Sequence, residues 1–172
     1  MDLGATFDYS RCQMAFFGQE DTMTTAGLHP SFVSAVNLLG GEAVLHTRPR
    51  VVMDWIPLVR RGLPSASVDA VVRITRITQS ELAHALCIPE RTLARRKREG
   101  TLSSEESAKF VRFARVVERA ETVFEDTESA LSWLQSPNAS LGGATPLSLL
   151  DTDIGADSVL DTLGRIEHGV FA

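Results

Sequence analysis

From about residue 30 onward, apolar side chains recur at intervals of three and four, the period of a helix rather than the alternation of a strand. Pro30 and Ser31 predict the start of a short helix that ends at the Gly40-Gly41 pair. Pro49 predicts the start of the next, through Val51, Val52, Trp55, Ile56 and Val59, with a kink at Pro57. Gly62-Leu63-Pro64 reads as a turn, and Ser65 or Ser67 as the cap of a helix carrying Val68, Val71, Val72 and Ile74. Two short helices over 79–87 and 89–99 then follow almost without a gap, and Gly100 stops the second.

Ser103 and Glu106 have the spacing of a capping box, which opens a long helix with Phe110, Phe113, Ala114, Val117, Ala120 and Phe124 on one stripe. Val111, Val116 and Val123 extend its apolar surface, so burial on more than one side is expected. Asp126 predicts the cap of a helix bearing Ala130, Leu131, Trp133 and Leu134, ended by Pro137. Thr145-Pro146 is a cap followed by a first-position proline. A last helix is expected over Asp153 to Glu167, with Ile154, Val159, Leu160, Leu163 and Ile166 inward and Gly169 at its end. The fold class is therefore all-α. Residues 1–27 show no sustained period and read as a mobile N-terminal arm.

Charge sharpens this picture. The chain of 172 residues carries a formal charge of −5, yet residues 73–100 hold seven cations and three anions. Residues 101–172 reverse the balance, with five cations and twelve anions. Five cations, Arg91, Arg95, Arg96, Lys97 and Arg98, fall within eight residues of the second short helix. The longest apolar stretches, such as FVSAVNLL at 32–39, are too short to cross a bilayer, and no secretory signal is readable at the N-terminus. Cys12 and Cys87 are too few for a disulfide framework and are expected as reduced thiols. A cytoplasmic protein without a membrane partner is the expectation.

The stretch SELAHALCIPERTLARRKREG, residues 80–100, meets the demands of a helix-turn-helix. Leu82, Leu86, Ile88 and Leu93 supply packing, Ala83 is the small residue at the crossing, and Arg91, Arg95 and Arg98 share one outer stripe. Arg96 and Lys97 are expected to reach phosphates, and Glu90 and Thr92 to meet base edges or phosphates from the first turn. Two residues depart from the usual pattern. Cys87 stands where a left-handed glycine is common, and Arg96 stands at a position more often apolar, where it can bury its aliphatic stem.

Several spaced motifs from Leu102 onward resemble the C-terminal region of the Xre/MbcA/ParS antitoxins: LSSEES with the following RFARV, ALSWLQSPN, LGGATPLSLLDT and the closing GRIEHGVFA. Upstream, GLP at 62–64 and ELAHALCIPERTLARRK resemble the same family's helix-turn-helix domain, so the resemblance covers about residues 50–172. It implies an Xre-like helix-turn-helix domain over 28–100 that binds operator DNA, and a toxin-binding domain over 101–172. The implied toxin is a RES-domain enzyme that consumes NAD. Some relatives instead face toxins that transfer ADP-ribose. The resemblance maps the active-site-blocking segment to Arg165, Ile166, Glu167, His168, Gly169, Val170, Phe171 and Ala172. A homodimer is expected, because helix-turn-helix proteins commonly pair two half-sites. A stand-alone repressor with an oligomerising C-terminal domain is the alternative.

Enzyme readings find little support. His84 and Cys87 lack the second ligand pair of a structural zinc site, and Gly142-Gly143-Ala144-Thr145 lacks the lysine of a phosphate loop and reads as a turn. Asp151 and Asp153 flank a helix start, where capping is the simpler role. No catalytic residue, metal or cofactor is expected.

Overall fold

The computed structural model describes residues 34–170. The arm expected over 1–27, the helix start expected at Pro30, and Phe171 and Ala172 all lie outside the described residues. In chain order the α-helices are α1 (Ala35–Leu38), α2 (Gly41–Leu45), α3 (Trp55–Arg61), α4 (Ala66–Thr75) and α5 (Gln79–Ala85). They continue as α6 (Glu90–Glu99), α7 (Ser104–Phe124), α8 (Thr127–Gln135) and α9 (Asp153–Glu167). No strand occurs among the described residues; one isolated antiparallel bridge joins Pro64 to Thr101. The all-α expectation holds.

Several local expectations are corrected. The first helix ends at the glycine pair as expected, with α1 stopping at Leu38 and Gly40 following at φ +102°, but Gly41 at once opens α2, so the pair links two short helices. Pro57 does not kink α3, because it falls in the first turn, where its missing amide would have had no intrahelical partner. The helix does not start at Pro49; the Asp54 carboxylate accepts from the Arg50 and Val51 amides at 2.8 and 3.1 Å and forms a tight turn ahead of it. Neither serine caps α4: Ser65 occupies the cap position without a side-chain bond, and Ser67 is buried with its hydroxyl unpartnered. Thr152, not Asp153, caps α9 by accepting from the Gly155 amide at 3.1 Å. Ile154 is 81% exposed rather than inward, because at about 3.6 residues per turn it lies roughly opposite Leu163.

The 21 residues of α7 form the spine, with α1, α3, α8 and α9 packed around it. Phe110, Phe113, Ala114, Val116, Val117 and Ala120 are wholly buried on it, on more than one face, as the sequence pattern requires. Truncating either phenylalanine to alanine would cost about 3–5 kcal/mol in such a position. Leu82, Leu86 and Leu93 of the helix-turn-helix belong to the same apolar cluster as Ala130, Leu134 and Leu163. The segments expected at 28–100 and 101–172 therefore share one core.

A polar clasp fastens the chain around the start of α7. The buried Ser107 hydroxyl accepts from the Leu63 amide at 2.8 Å and donates to the Ser103 carbonyl at 2.6 Å. The Leu102 amide donates to the Leu63 carbonyl at 2.8 Å, and the Ser65 amide to the Gly100 carbonyl at 2.9 Å. Gly62 is required here. Its φ is +91°, and a Cβ would sit 2.3 Å from the Leu102 carbonyl oxygen. The GLP turn thus sets where α6 ends and α7 begins.

Candidate functional sites

The helix-turn-helix is built by two linked devices. Thr78 and Glu81 close a capping box at the start of α5: the Thr78 amide donates to the Glu81 carboxylate at 2.8 Å, and Thr78 Oγ1 accepts from the Glu81 amide at 3.2 Å. At the other end, the Cys87 amide donates to the His84 carbonyl at 3.0 Å and the Ile88 amide to the Ala83 carbonyl at 2.9 Å. This is a Schellman termination, and Cys87 takes its left-handed position at φ +47°. The Lys109 ammonium supports the strained turn by donating to the Cys87 carbonyl at 3.3 Å. Leu82, Ala83, Leu86, Ile88 and Leu93 are all buried at the crossing.

The α6 surface is less uniform than its composition. Arg91 and Arg98 are exposed and, among the described residues, have no carboxylate partner. Arg95 makes only a 3.5 Å contact with Glu99 and stays exposed. These three form the outward stripe. Arg96 turns inward: its Nε donates to both Glu106 oxygens at 3.1 and 2.8 Å, and its Nη1 to Glu99 at 2.8 Å. Lys97 Nζ reaches Asp69 of α4 at 2.6 Å and Gln79 of α5 at 3.3 Å. Glu90 accepts from the Ser80 hydroxyl, tying α6 to α5, and Thr92 is half-buried in the first turn.

Burial would raise the Glu106 carboxyl, but the Ser103 amide, the Arg96 guanidinium and the Ser103 hydroxyl together hold it below the usual glutamate value. Arg96 is pushed up correspondingly, first by Glu106 and then by Glu99. Sequence reasoning placed Arg96 and Lys97 beside the outward stripe. Helical angle was the available signal: at about 3.6 residues per turn they fall roughly 60° and 40° either side of buried Leu93.

The second candidate surface is the end of α9. Arg112 and Arg119, two turns apart on α7, hold the first and last residues of that helix. Arg112 pairs with Asp153 and donates to the Leu150 and Asp151 carbonyls at 3.3 and 3.4 Å. Arg119 grips Glu167 through both terminal guanidinium nitrogens, Nη1 and Nη2, and thereby lowers the Glu167 carboxyl, with His168 adding to the effect. Beyond it, the Gly169 amide donates to the Ile166 carbonyl at 3.1 Å and the Val170 amide to the Arg165 carbonyl at 2.9 Å. Gly169 has φ +64°, so this end is also a Schellman termination. Arg165 and His168 are exposed, Ile166 is half-buried, and Val170 is 58% exposed. The α6 stripe and the α9 end draw on different parts of the same spine, Glu106 in one case and Arg119 in the other.

Residues 54–115 match the antitoxin Xre-like helix-turn-helix domain, and residues 119–169 match the antitoxin Xre/MbcA/ParS C-terminal toxin-binding domain. A curated relative from Yersinia enterocolitica, named antitoxin Xre, is 35% identical over 84% of this chain and 97% of its own. The chain belongs to the Xre antitoxin family. An antitoxin Xre from Photorhabdus laumondii is 34% identical over 67% of this chain and 79% of its own. A Sphingobium protein named Prs ADP-ribosylating antitoxin is 27% identical over 70% of this chain and 82% of its own. The antitoxin thus carries a helix-turn-helix and a toxin-binding domain, and the boundary between the two matches falls inside α7.

Other groups singled out in the sequence have local structural places. Gly142 and Gly143 form a turn in which the Asn138 amide donates to the Ala144 carbonyl at 3.0 Å, and Thr145 caps the following turn with Pro146 in first position. Trp133 is half-buried and stacks at a tilt on Phe124, with ring centroids 5.6 Å apart. His84 and Cys87 are exposed, and no metal-holding cluster occurs among the described residues. No described helix is long and apolar enough to cross a membrane.

Proposed function

We propose that this chain is the antitoxin of a type II toxin–antitoxin pair whose toxin is a RES-domain, NAD-consuming enzyme. Residues 165–172 enter and occlude the toxin's active site, and α6 binds the pair's own operator and represses its transcription. The protein works in the cytoplasm as a homodimer, performs no catalysis and holds no cofactor. The observation that carries the toxin-facing half is the built end of α9. Arg119 fixes Glu167, and the Gly169 termination turns the chain out with Val170 exposed. A helix end anchored this firmly is suited to presenting a short segment in one orientation.

The DNA-facing half is supported by the outward stripe of Arg91, Arg95 and Arg98 on a helix anchored from its opposite side by the buried Leu93. A dimer would set two such helices roughly 34 Å apart, or a multiple of that. The name of the Sphingobium relative refers to ADP-ribosylation. NAD degradation and ADP-ribosyl transfer both begin by releasing nicotinamide from NAD, so an occluding tail opposes either.

The deciding experiment is a pull-down from the native host with the full chain and with a chain ending at Glu167. A stoichiometric partner that is retained and silenced by the full chain, but lost or left active with the shortened one, supports the proposal. Nicotinamide release with and without an added protein acceptor separates the two toxin chemistries. No partner with either chain would refute the antitoxin–toxin pairing and favour a stand-alone repressor.

A further inference from the structure

Two cations on α6 have inward partners of very different burial. The Glu106 side chain, 10% exposed, faces Arg96, itself 23% exposed. Asp69, the partner of Lys97, is 62% exposed. An exposed carboxylate gives up its cation at little cost, because water replaces the lost contact. A nearly buried one does not: if Arg96 swung out to a phosphate, Glu106 would keep a charge in a poorly hydrated place. Glu106 is moreover committed at the same carboxylate to the Ser103 amide at 2.6 Å, the bond that closes the α7 capping box. Its two oxygens therefore join the inner edge of α6 to the first turn of the spine helix.

We infer that Arg96 is a positioning residue, held by Glu106 so that α6 meets DNA at a fixed angle, and that it makes no DNA contact itself. Lys97 is the contrasting case, free to exchange Asp69 for a phosphate. The inference rests on the reading of α6 as the DNA-facing helix. It narrows the direct contacts among the α6 cations to Arg91, Arg95, Lys97 and Arg98.

The test uses the full chain and the duplexes it enriches from a randomised pool, with a scrambled duplex as control. Anisotropy titrations between about 50 and 200 mM salt give affinity and the number of phosphates neutralised. Lys97→Ala should lower the salt slope by about 0.9 and weaken both duplexes alike. Arg96→Met and Glu106→Gln should keep the wild-type slope and lose roughly three- to tenfold on the enriched duplex, with little change on the scrambled one. Glutamine still accepts at the capping box, so the second variant tests the pair without removing the cap. The double variant should be no weaker than the poorer single one. A slope reduced by about 0.9 in Arg96→Met, with tighter binding in Glu106→Gln, would make Arg96 a phosphate ligand and overturn the inference. Unchanged affinity in both folded variants would overturn it too, leaving the pair a purely structural one. Failure of the wild-type chain to enrich any duplex would instead remove the DNA reading of α6, and this inference with it.

Discussion

Replacing Ser107 with alanine probes the clasp that places α6 and α7 together. The hydroxyl is wholly buried and is the acceptor for the Leu63 amide at 2.8 Å, itself on a residue with no exposed surface. Alanine leaves that N–H without its partner where water does not reach, a loss of about 1–3 kcal/mol. The other bond matters less, because the Ser103 carbonyl still receives the Ser107 amide at 2.8 Å. A net cost of about 2 kcal/mol is therefore expected, which at this chain length lowers Tm by roughly 4–8 °C. Urea denaturation followed by far-ultraviolet circular dichroism measures the free energy directly, and an unchanged m-value shows that the folded state keeps its compactness. A cost below about 0.5 kcal/mol would refute the reasoning, since the Leu63 amide would then have found another acceptor.

Cys87→Gly should stabilise the chain by about 0.5–1 kcal/mol, because glycine accepts the left-handed turn that cysteine holds at φ +47°; a destabilised variant by urea titration would contradict this. Glu106 gives a pH prediction. An unfolded glutamate titrates near 4.5 and the folded group lies below that, so the folded state binds fewer protons in between and its stability rises with pH. The contribution is complete above the unfolded value and disappears as pH falls through the folded one, so Glu106→Gln should flatten the acid limb of stability against pH. An unaltered acid limb would show that Asp54, Glu81, Asp126 and Glu167, also lowered, carry the dependence without it. Gly169→Ala meets no neighbouring atom, so its cost is backbone strain alone, about 1 kcal/mol, confined to the last turn of α9. Hydrogen exchange at the Gly169 and Val170 positions should quicken, with toxin retention weakened and operator binding unchanged.

Much of this fold was legible because its signals are local. Ser103 with Glu106, Asp126, and Thr145 before Pro146 each bond backbone three residues away, as their spacing indicates. The Gly169 stop and the all-round burial of α7 likewise follow from residues within a turn or two. What the sequence left hidden depends on contacts between distant segments. The partner of Arg96 is ten residues away across a turn, that of Lys97 twenty-eight, and that of the Leu63 amide forty-four. Ile154 is a different case: its apolar identity suggests burial, but its angle on α9 points away from the face of Val159 and Leu163. The α6 cations carry both kinds of information: the helical period separates the outward stripe of three arginines from Arg96 and Lys97 beside Leu93, and the distant partners then separate inward Arg96 from exposed Lys97.

The contrast between an acidic chain and its basic helix resolves at the level of single contacts. Screening at physiological salt limits exposed charges to about 8 Å, so net charge says little about what a phosphate at α6 would meet. What it would meet is the stripe of Arg91, Arg95 and Arg98, while of the nearby carboxylates Glu106 is paired inward with Arg96 and Glu90 stays exposed, accepting only from the neutral Ser80 hydroxyl. The carboxylates of the C-terminal third are divided in the same way. Asp153 and Glu167 are bound to arginines of α7, whereas Asp157 and Asp161 on α9 remain exposed without an ion-pair partner among the described residues. From Glu106 to Arg119 is thirteen residues, roughly 20 Å along a straight helix. Over that distance α7 holds the inner edge of α6 at one end and the last turn of α9 at the other. A change in how α7 packs would therefore be felt at both surfaces, which makes the spine, rather than either surface, the place where substitutions should disturb both activities together.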